Sequence, residues 1–273
     1  MDLRKYKLLI TDVDGTALNS THELQPETVR AFQQLREFGV LTTIATGKIY
    51  PSVEYLIRPL CGDLPFLLGH GSIVQDQDGK ILMRQGLSAE VMEIIFKVGG
   101  KYHCDIGAYL ADGILAKEFN QSMKYLTEYW EPEAEEIASW PDLGGRIHDV
   151  VKVLFINHNS DFDLEQVANE LSSMLGGLAT IQFSIPHVVE VTNTHATKEN
   201  GLRFLSTYLD IPVEQMIAVG DGLNDMGMLD LVGCGVAMGN ATPELKDAAD
   251  LVIGSNDENG LAMAIQEWIA DSR

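Results

Sequence analysis

Short apolar runs alternate with amphipathic segments over the first third of the chain. Residues 6–11 predict a buried strand, and the polar residues 12–16 that follow predict a turn. A helix is expected from about Pro26, with proline in its first turn, to near Gly39. The elements expected next are a strand at 40–45, a helix at 53–60 and a short strand at 65–68. This βαβαβ order predicts a parallel sheet.

The same alternation returns over the last third of the chain. The elements expected there are strands at 188–192, 216–219, 235–238 and 251–253, helices at 198–209 and 224–231, and a final helix that ends at Ile269. Both thirds are expected to form one α/β unit, a doubly wound, Rossmann-like parallel sheet.

Between about residues 82 and 185 the pattern changes. The elements expected in this stretch are helices at 89–102, 120–129 and 164–175, a hairpin turn at 111–114, and strands at 150–156 and 180–185. We therefore predict two domains, a core formed by residues 1–83 and 187–273 and an inserted α+β domain formed by residues 84–186.

Two carboxylates, Asp12 and Asp14, directly follow the first predicted strand. Side chains at the carboxyl end of such a strand surround a crevice where ligands usually bind, so that one carboxylate can attack while its neighbour handles protons. Taken alone, the segment is equally typical of a turn that the two aspartates cap and in which Gly15 supplies a positive φ.

Two further segments place polar groups at predicted element ends. Thr46 and Gly47 follow the strand at 40–45, where a hydroxyl and a closely approaching backbone can bind phosphoryl oxygens, although a plain turn has the same composition. Lys198 opens the helix at 198–209. Lysine at a helix N-terminus opposes the helix dipole, so we expect an anion beside this ammonium. A solvated surface lysine is the alternative.

Residues 220–225 follow the predicted strand at 216–219 and include Asp221, Asn224 and Asp225. Oxygen ligands without a nearby histidine or cysteine suit a hard cation, and Mg²⁺ is the cation expected in phosphoryl chemistry. Asp221 alone would also serve as a helix N-cap, but three polar side chains within this short segment favour a metal site.

Composition narrows the range of partners. The formal net charge of −21 argues against sequence-independent binding to nucleic acid. The same charge would repel a small anionic substrate, so a bound cation and local basic side chains are expected at the site. Most of the acidic surplus is expected to be solvated surface.

Membrane contact, secretion and cysteine chemistry are not predicted. No apolar stretch approaches the roughly 18 residues of a membrane span, and no apolar signal region precedes the first strand. A cytoplasmic location is therefore expected. The three cysteines, Cys61, Cys104 and Cys234, form no CxxC pair and are expected to be inert core thiols.

The polar segments, taken in order, carry a resemblance. They are Asp12-x-Asp14-Gly15-Thr16, Thr46, Lys198 and Gly220-Asp221-x3-Asp225. In this order they resemble the four motifs of the haloacid dehalogenase-like (HAD) phosphohydrolase superfamily. The Gly-Asp-Gly-x-Asn-Asp-Met form of the last motif, with a large insert before the third, is most similar to the Cof-type class IIB subgroup. The resemblance implies a Rossmann-like core with a C2B-type cap that closes over the site.

The resemblance also implies roles for single residues. Asp12 would be the nucleophile, and Asp14 the general acid and base. Thr46 would hydrogen-bond the transferring phosphoryl group, and Lys198 would neutralise its charge. The substrate-binding set would be Thr46, Gly47, Lys198 and Asn224. The set implied to hold Mg²⁺ is Asp12, Asp14 through its backbone carbonyl, Asp221, Asn224 and Asp225, the last two as direct or outer partners.

Two positions depart from the subgroup's pattern. Lys48 stands where the second motif commonly has arginine, which changes any bidentate contact at that position. His70 stands where an asparagine often precedes glycine, and we expect it to pack or hydrogen-bond within the turn.

The interpretation that follows is a Mg²⁺-dependent phosphatase that acts on a small phosphorylated metabolite, and the resemblance to the subgroup favours a sugar phosphate. A phosphomutase or phosphotransferase with the same aspartyl-phosphate intermediate is one alternative. A phosphoacceptor signalling protein is another, although Asp14 and the large insert argue against it. The oligomeric state, monomer or homodimer, is left open.

Overall fold

The structure is a computed structural model that describes residues 1–128, 131–157, 163–184 and 186–273. Its first elements are β1 (Leu8–Thr11), α1 (Pro26–Phe38), β2 (Leu41–Ile44), α2 (Tyr50–Cys61), β3 (Phe66–Leu68), β4 (Ile73–Gln75) and β5 (Ile81–Arg84). The middle elements are α3 (Ala89–Tyr102), β6 (Asp105–Tyr109), β7 (Ile114–Ala116), α4 (Gln121–Thr127), β8 (Glu135–Glu136), β9 (Lys152–Ile156), α5 (Leu164–Leu175), β10 (Ala179–Phe183) and β11 (Val188–Asn193). The last elements are α6 (Lys198–Leu209), β12 (Met216–Gly220), α7 (Met226–Leu231), β13 (Cys234–Ala237), α8 (Pro243–Ala248), β14 (Leu251–Val252) and α9 (Gly260–Asp271).

The chain forms two compact units. The first contains Met1–Gly47, Glu54–Met83 and Thr197–Arg273, and the second contains Lys48–Val53 and Arg84–Ala196. The roles of the two units as catalytic core and cap stay predictions.

A five-stranded parallel sheet organises the first unit. Its order is β14-β13-β12-β1-β2, which places β1 between β12 and β2. Every residue of β1 is buried, as expected for a strand covered on both faces of its sheet. Helix α1 begins with Pro26 and ends at Gly39, which has a φ of +105° that glycine adopts without strain. The predicted α/β fold with a parallel sheet is confirmed.

The strand β3 extends this arrangement beside β2. A parallel bridge joins Ala45 to Leu67, and β3 then turns back into the antiparallel strand β4 of a small sheet ordered β3-β4-β5. The strand expected at 65–68 is therefore present. Strands β4 and β5 were not among the predicted elements. Both are short; β4 follows the glycine-flanked turn around His70, and β5 follows a second turn at residues 76–80.

The second unit is an α+β arrangement built on a six-stranded sheet. Its order is β10-β11-β9-β6-β7-β8, antiparallel except for the parallel pair of β7 and β8. Alternate residues of β6 and β9, among them Ala108, Val153 and Phe155, join the buried side chains of α3 and α5 in one hydrophobic core. This alternation is typical of a sheet that packs helices on one face.

The predicted position of one strand was wrong. Residues 188–192 were expected to belong to the core domain, but β11 pairs antiparallel with both β10 and β9 in the sheet of the second unit. The connection from β10 is short, and neighbouring strands joined by a short connection pair antiparallel. The second unit therefore continues to Ala196 rather than ending at residue 186.

Three further predictions concern the cysteines, membrane spans and the ends of two elements. None of the cysteines forms a disulfide; Cys61 and Cys234 are buried, Cys104 is partly buried, and burial raises the pKa of the Cys61 thiol to about 12. Within the described residues, no helix is both long enough and apolar enough to cross a bilayer. The predicted helix end at Tyr129 and strand end at Ile185 lie outside the described residues.

Candidate active site

The ends of three parallel strands share one edge of the first unit's sheet. β1 is followed by Asp12, whose N–H donates to the Val219 carbonyl of β12 at 2.8 Å. At the end of β2, the Ala45 N–H donates to the Thr11 carbonyl at 2.8 Å. The residues that follow β1, β2 and β12 are therefore brought together, as expected where parallel strands end side by side.

Lys198, the first residue of α6, reaches the same place from a buried position. It is 1% exposed, and its ammonium forms ion pairs with the carboxylates of Asp12 and Asp225. Burial alone would lower the pKa of Lys198, but the charges of the two carboxylates raise it above its usual value. An anion was expected beside this ammonium, and the structure places two there, the carboxylates of Asp12 and Asp225.

Asp225 fixes the loop between β12 and α7. Its Oδ2 accepts hydrogen bonds from the backbone N–H groups of Asp221 and Gly222, each at 3.0 Å, while its Oδ1 accepts from Lys198. A Cβ on Gly220 would lie 2.5 Å from the Asp225 carboxylate, so the close approach requires glycine. One buried side chain thus ties the loop to the ammonium.

Three carboxylates converge at this point. One oxygen from each of Asp12, Asp221 and Asp225 lies within 4.8 Å of the others. Burial, and after it the charges of Asp225 and Asp221, raise the pKa of Asp12 well above its usual range, although Lys198 opposes the shift. Burial and the charge of Asp225 raise the pKa of Asp221 to about 6. Three carboxylates around one ammonium leave an excess of negative charge that a cation would offset.

The donor set fits a hard divalent cation. All three groups offer oxygen, the ligand that Mg²⁺ prefers. The loop after β1 packs directly on Asp221: the Thr16 hydroxyl donates to its Oδ1 at 3.0 Å, and a Cβ on Gly15 would lie 2.4 Å from its Oδ2. The predicted participation of the Asp14 carbonyl and of Asn224 as ligands stays a prediction.

Asp14 has a partner that sequence reasoning did not identify. Its Oδ1 lies 3.0 Å from Nδ1 of His22, and the two side chains are 34% and 28% exposed. His22 belongs to none of the sequence motifs described above. The available signal was the polar turn of residues 19–23, which returns the chain towards the Asp14 loop.

The predicted substrate-binding residues Thr46, Gly47 and Asn224 lie around His70. Thr46 is buried; its N–H donates to the Leu67 carbonyl at 3.0 Å, and its backbone carbonyl accepts the His70 N–H at 2.9 Å. The His70 ring covers Gly47, where a Cβ would lie 2.4 Å from the ring, and its Nδ1 is 3.5 Å from Asn224 Nδ2. His70 therefore does more than pack within its own turn. Lys48 belongs to the second unit, and its role stays a prediction.

Comparison with known proteins places this geometry in a family context. The family model of haloacid dehalogenase-like hydrolases matches residues 9–265. A curated relative named HMP-PP phosphatase, from Yersinia enterocolitica, is 28% identical over 269 residues, which covers 97% of this chain and 96% of the relative.

Solved structures show the same fold. A haloacid dehalogenase-like hydrolase from Bacteroides thetaiotaomicron superposes with a TM-score of 0.85 at 26% identity, covering 96% of this chain and 99% of the other. A HAD subclass IIB sugar phosphatase superposes with a TM-score of 0.79 at 23% identity, covering 96% and 98% of the two chains. At 23% identity, the comparison with the sugar phosphatase shows a shared fold only.

Proposed function

We propose, on the premise that the chain belongs to the haloacid dehalogenase-like hydrolase family, that it releases phosphate from a small phosphorylated metabolite through an aspartyl-phosphate on Asp12. The family prediction and the prediction of a phosphatase enzyme are confirmed by the matches described above. The observation that carries the mechanistic proposal is the buried ammonium of Lys198 between Asp12 and Asp225. It places a fixed positive charge against the carboxylate that follows β1.

The reaction proceeds in two displacements. A carboxylate oxygen of Asp12 attacks phosphorus and the bond to the leaving oxygen breaks, while Asp14 donates a proton to that oxygen. Water then attacks the aspartyl-phosphate, Asp14 takes the proton from this water, and the phosphorus–oxygen bond to Asp12 breaks. Inorganic phosphate leaves, and both aspartates return to their starting protonation states.

Four other residues support these steps. Lys198 stabilises negative charge on the nucleophile and on the transferring group, since its ammonium is already fixed by two carboxylates. The Thr46 hydroxyl and the Gly47 backbone hydrogen-bond the phosphoryl oxygens at the end of β2. Asn224, which lies beside His70, contacts the substrate at the edge of the site.

Mg²⁺ is the cation that we propose for the carboxylate cluster. Asp12 and Asp221 are the direct ligands, together with the Asp14 carbonyl. Both oxygens of Asp225 already accept hydrogen bonds, so we assign Asp225 to orienting Lys198 and the loop, with Asn224 as an outer partner. When bound, the cation neutralises charge on the phosphoryl oxygens and keeps Asp12 ionised against the effect of its burial.

A sugar phosphate is the substrate class that the class IIB motif resemblance favours. The relatives carry different names, HMP-PP phosphatase in one case and sugar phosphatase in the other, so the proposal for this chain is tested with both kinds of compound. A phosphotransferase would share every step up to the aspartyl-phosphate and would differ only in its acceptor.

The test is phosphate release from a panel of sugar phosphates, HMP-PP and p-nitrophenyl phosphate, with Mg²⁺ and with a chelator. We expect turnover that requires the metal and that falls on the order of 10³-fold or more in Asp12→Asn. Asp230→Asn, which changes an exposed aspartate of α7, is the matched control and should retain full activity. Equal turnover in Asp12→Asn would contradict the proposal, and phosphate transfer to an added alcohol in preference to water would favour the transferase.

A further inference from the structure

The contact between His22 and Asp14 joins a residue without an assigned role to the proposed proton donor. The two side-chain atoms, Nδ1 and Oδ1, are 3.0 Å apart, which is hydrogen-bond distance. Either a ring N–H donates to the carboxylate, or a protonated Asp14 donates to the ring nitrogen. Both assignments fix the orientation of the same carboxyl group.

The loop that carries His22 is held by its own side chains. Asn19 Oδ1 accepts from the backbone N–H groups of Thr21 at 3.1 Å and Glu23 at 2.8 Å. The Asn19 carbonyl accepts the His22 N–H at 2.9 Å, and the Asn19 N–H donates to the Glu23 carbonyl at 3.2 Å. Asparagine commonly closes turns in this way. The position of His22 is therefore fixed by four hydrogen bonds centred on one residue.

The loop is also anchored to the C-terminal segment of the same unit. The Ser20 N–H donates to Asp257 Oδ1 at 2.8 Å, and the Asn256 side chain donates to the Leu18 carbonyl at 3.0 Å. Asn256 is 9% exposed, so the second bond is largely shielded from water. These contacts tie the start of the loop to the rest of the unit.

His22 itself has a left-handed backbone, with a φ of +57°. A non-glycine residue in this region costs on the order of 1 kcal/mol and persists where the surroundings over-determine it, commonly at functional sites. The hydrogen bonds of Asn19 supply that constraint. The result is an imidazole directed at Asp14 from a fixed turn.

We propose that His22 is a positioning residue that orients the Asp14 carboxyl group for proton transfer to the leaving oxygen. The inference rests on the proposed function, in which Asp14 is the proton donor. Its consequence is selective: substrates whose leaving group needs a proton depend on His22, and substrates with a weakly basic leaving group do not.

The test measures kcat/KM for a series of substituted aryl phosphates that differ in the basicity of the phenolate released. This parameter covers the steps through formation of the aspartyl-phosphate, so the second displacement does not obscure it. In His22→Ala we expect about a tenfold loss for the most basic leaving group and less than about a twofold loss for p-nitrophenyl phosphate. The plot of log kcat/KM against leaving-group pKa should therefore become steeper.

Two variants separate orientation from a structural effect. Asn carries Nδ2 on Cγ, as histidine carries Nδ1, and it tolerates the left-handed region, so His22→Asn should keep the wild-type slope. His103 caps the C-terminus of α3 in the second unit with a φ of +53°, so His103→Ala removes an equally left-handed histidine and should leave the slope unchanged.

Epistasis gives the second readout. Because His22 acts through Asp14, adding His22→Ala to Asp14→Asn should change the slope no further. An unchanged slope in His22→Ala, with or without an equal loss of kcat/KM for all leaving groups, would overturn the inference while the proposed function stands. Failure of the proposed function is a different result, namely turnover that survives Asp12→Asn, and it would remove the inference with it.

Discussion

Asp221 is a residue at which the electrostatics of the site can be measured through protein stability. It lies beside Asp12 and Asp225, accepts a hydrogen bond from the Thr16 hydroxyl, and has a pKa that burial and the charge of Asp225 raise from 3.8 to about 6. A carboxyl group with a higher pKa in the folded state binds its proton more tightly there. The contribution of Asp221 to the stability of the metal-free protein is therefore lost as the pH rises from 3.8 through about 6.

We predict that Asp221→Asn stabilises the metal-free protein at neutral pH. In a chelator at pH 7.5 its melting temperature should exceed that of the wild type by roughly 2–4 °C, since about 1 kcal/mol of repulsion is removed. At pH 4 the difference should largely vanish. Mg²⁺ should raise the melting temperature of the wild type more than that of the variant, because the variant has lost one of the proposed ligands.

Asp230→Asn again serves as the control, since it removes one charge from an exposed position and should keep the full response to Mg²⁺. Scanning calorimetry at the two pH values measures all of these quantities. A variant that is less stable than the wild type at both pH values would show instead that the Asp221 carboxylate stabilises the metal-free protein.

At the residue scale, strand ends explain what could be predicted. Asp12, Thr46 and Asp221 were recognisable because each follows an apolar run, and parallel strands end together. His22 could not be predicted, since its contact with Asp14 depends on a left-handed backbone and on the hydrogen bonds of Asn19. Neither leaves a periodic pattern in the sequence.

At the scale of elements, the turn after β3 fits closely against the start of α6. Gly71 has a φ of +89°, and a Cβ there would lie 2.2 Å from the Thr197 carbonyl oxygen, immediately before Lys198. Backbone cannot move aside as a flexible side chain can. The position of Lys198 thus depends on a glycine far away in the sequence.

We predict that Gly71→Ala lowers the free energy of unfolding by about 2 kcal/mol or more and also reduces kcat, because α6 must shift. Gly79→Ala is the matched control. Gly79 has a similar φ of +82°, but nothing lies within 4 Å of the place that an added methyl group would take. Only the backbone cost of about 1 kcal/mol applies there, and activity should be unchanged. Urea denaturation and steady-state assays compare the two variants; equal effects would contradict the packing argument.

Most elements could be predicted from apolar periodicity, and β11 shows why one could not be placed. It was found at its correct place in the sequence but assigned to the wrong sheet, because a short valine-rich strand with Glu190 among its valines fits a parallel core strand as well as an antiparallel one. The sheet to which β11 belongs is determined by its pairing with β10 and β9. Such pairing is a tertiary contact that the sequence of one strand does not specify.

At the scale of the whole molecule, the net negative charge opposes the binding of the anionic substrate that we propose. The chain has 40 acidic and 19 basic residues, which repels an anionic substrate at long range. The first unit offsets this with a buried ammonium at the ends of β1 and β12 and with carboxylates suited to a cation. The family and fold followed from motif order, whereas the substrate did not, since no motif in the sequence specifies a leaving group.

The central claim is that Asp12 carries the phosphoryl group during turnover. The most direct measurement is an acid quench during turnover of p-nitrophenyl phosphate, followed by peptide mass spectrometry. Because this leaving group needs no proton, Asp14→Asn should still form the aspartyl-phosphate but hydrolyse it slowly. We predict a phosphoryl group on the peptide that contains Asp12, at higher occupancy in Asp14→Asn than in the wild type. Phosphate release with no phosphoryl group on Asp12, or with one on another residue, would contradict the claim.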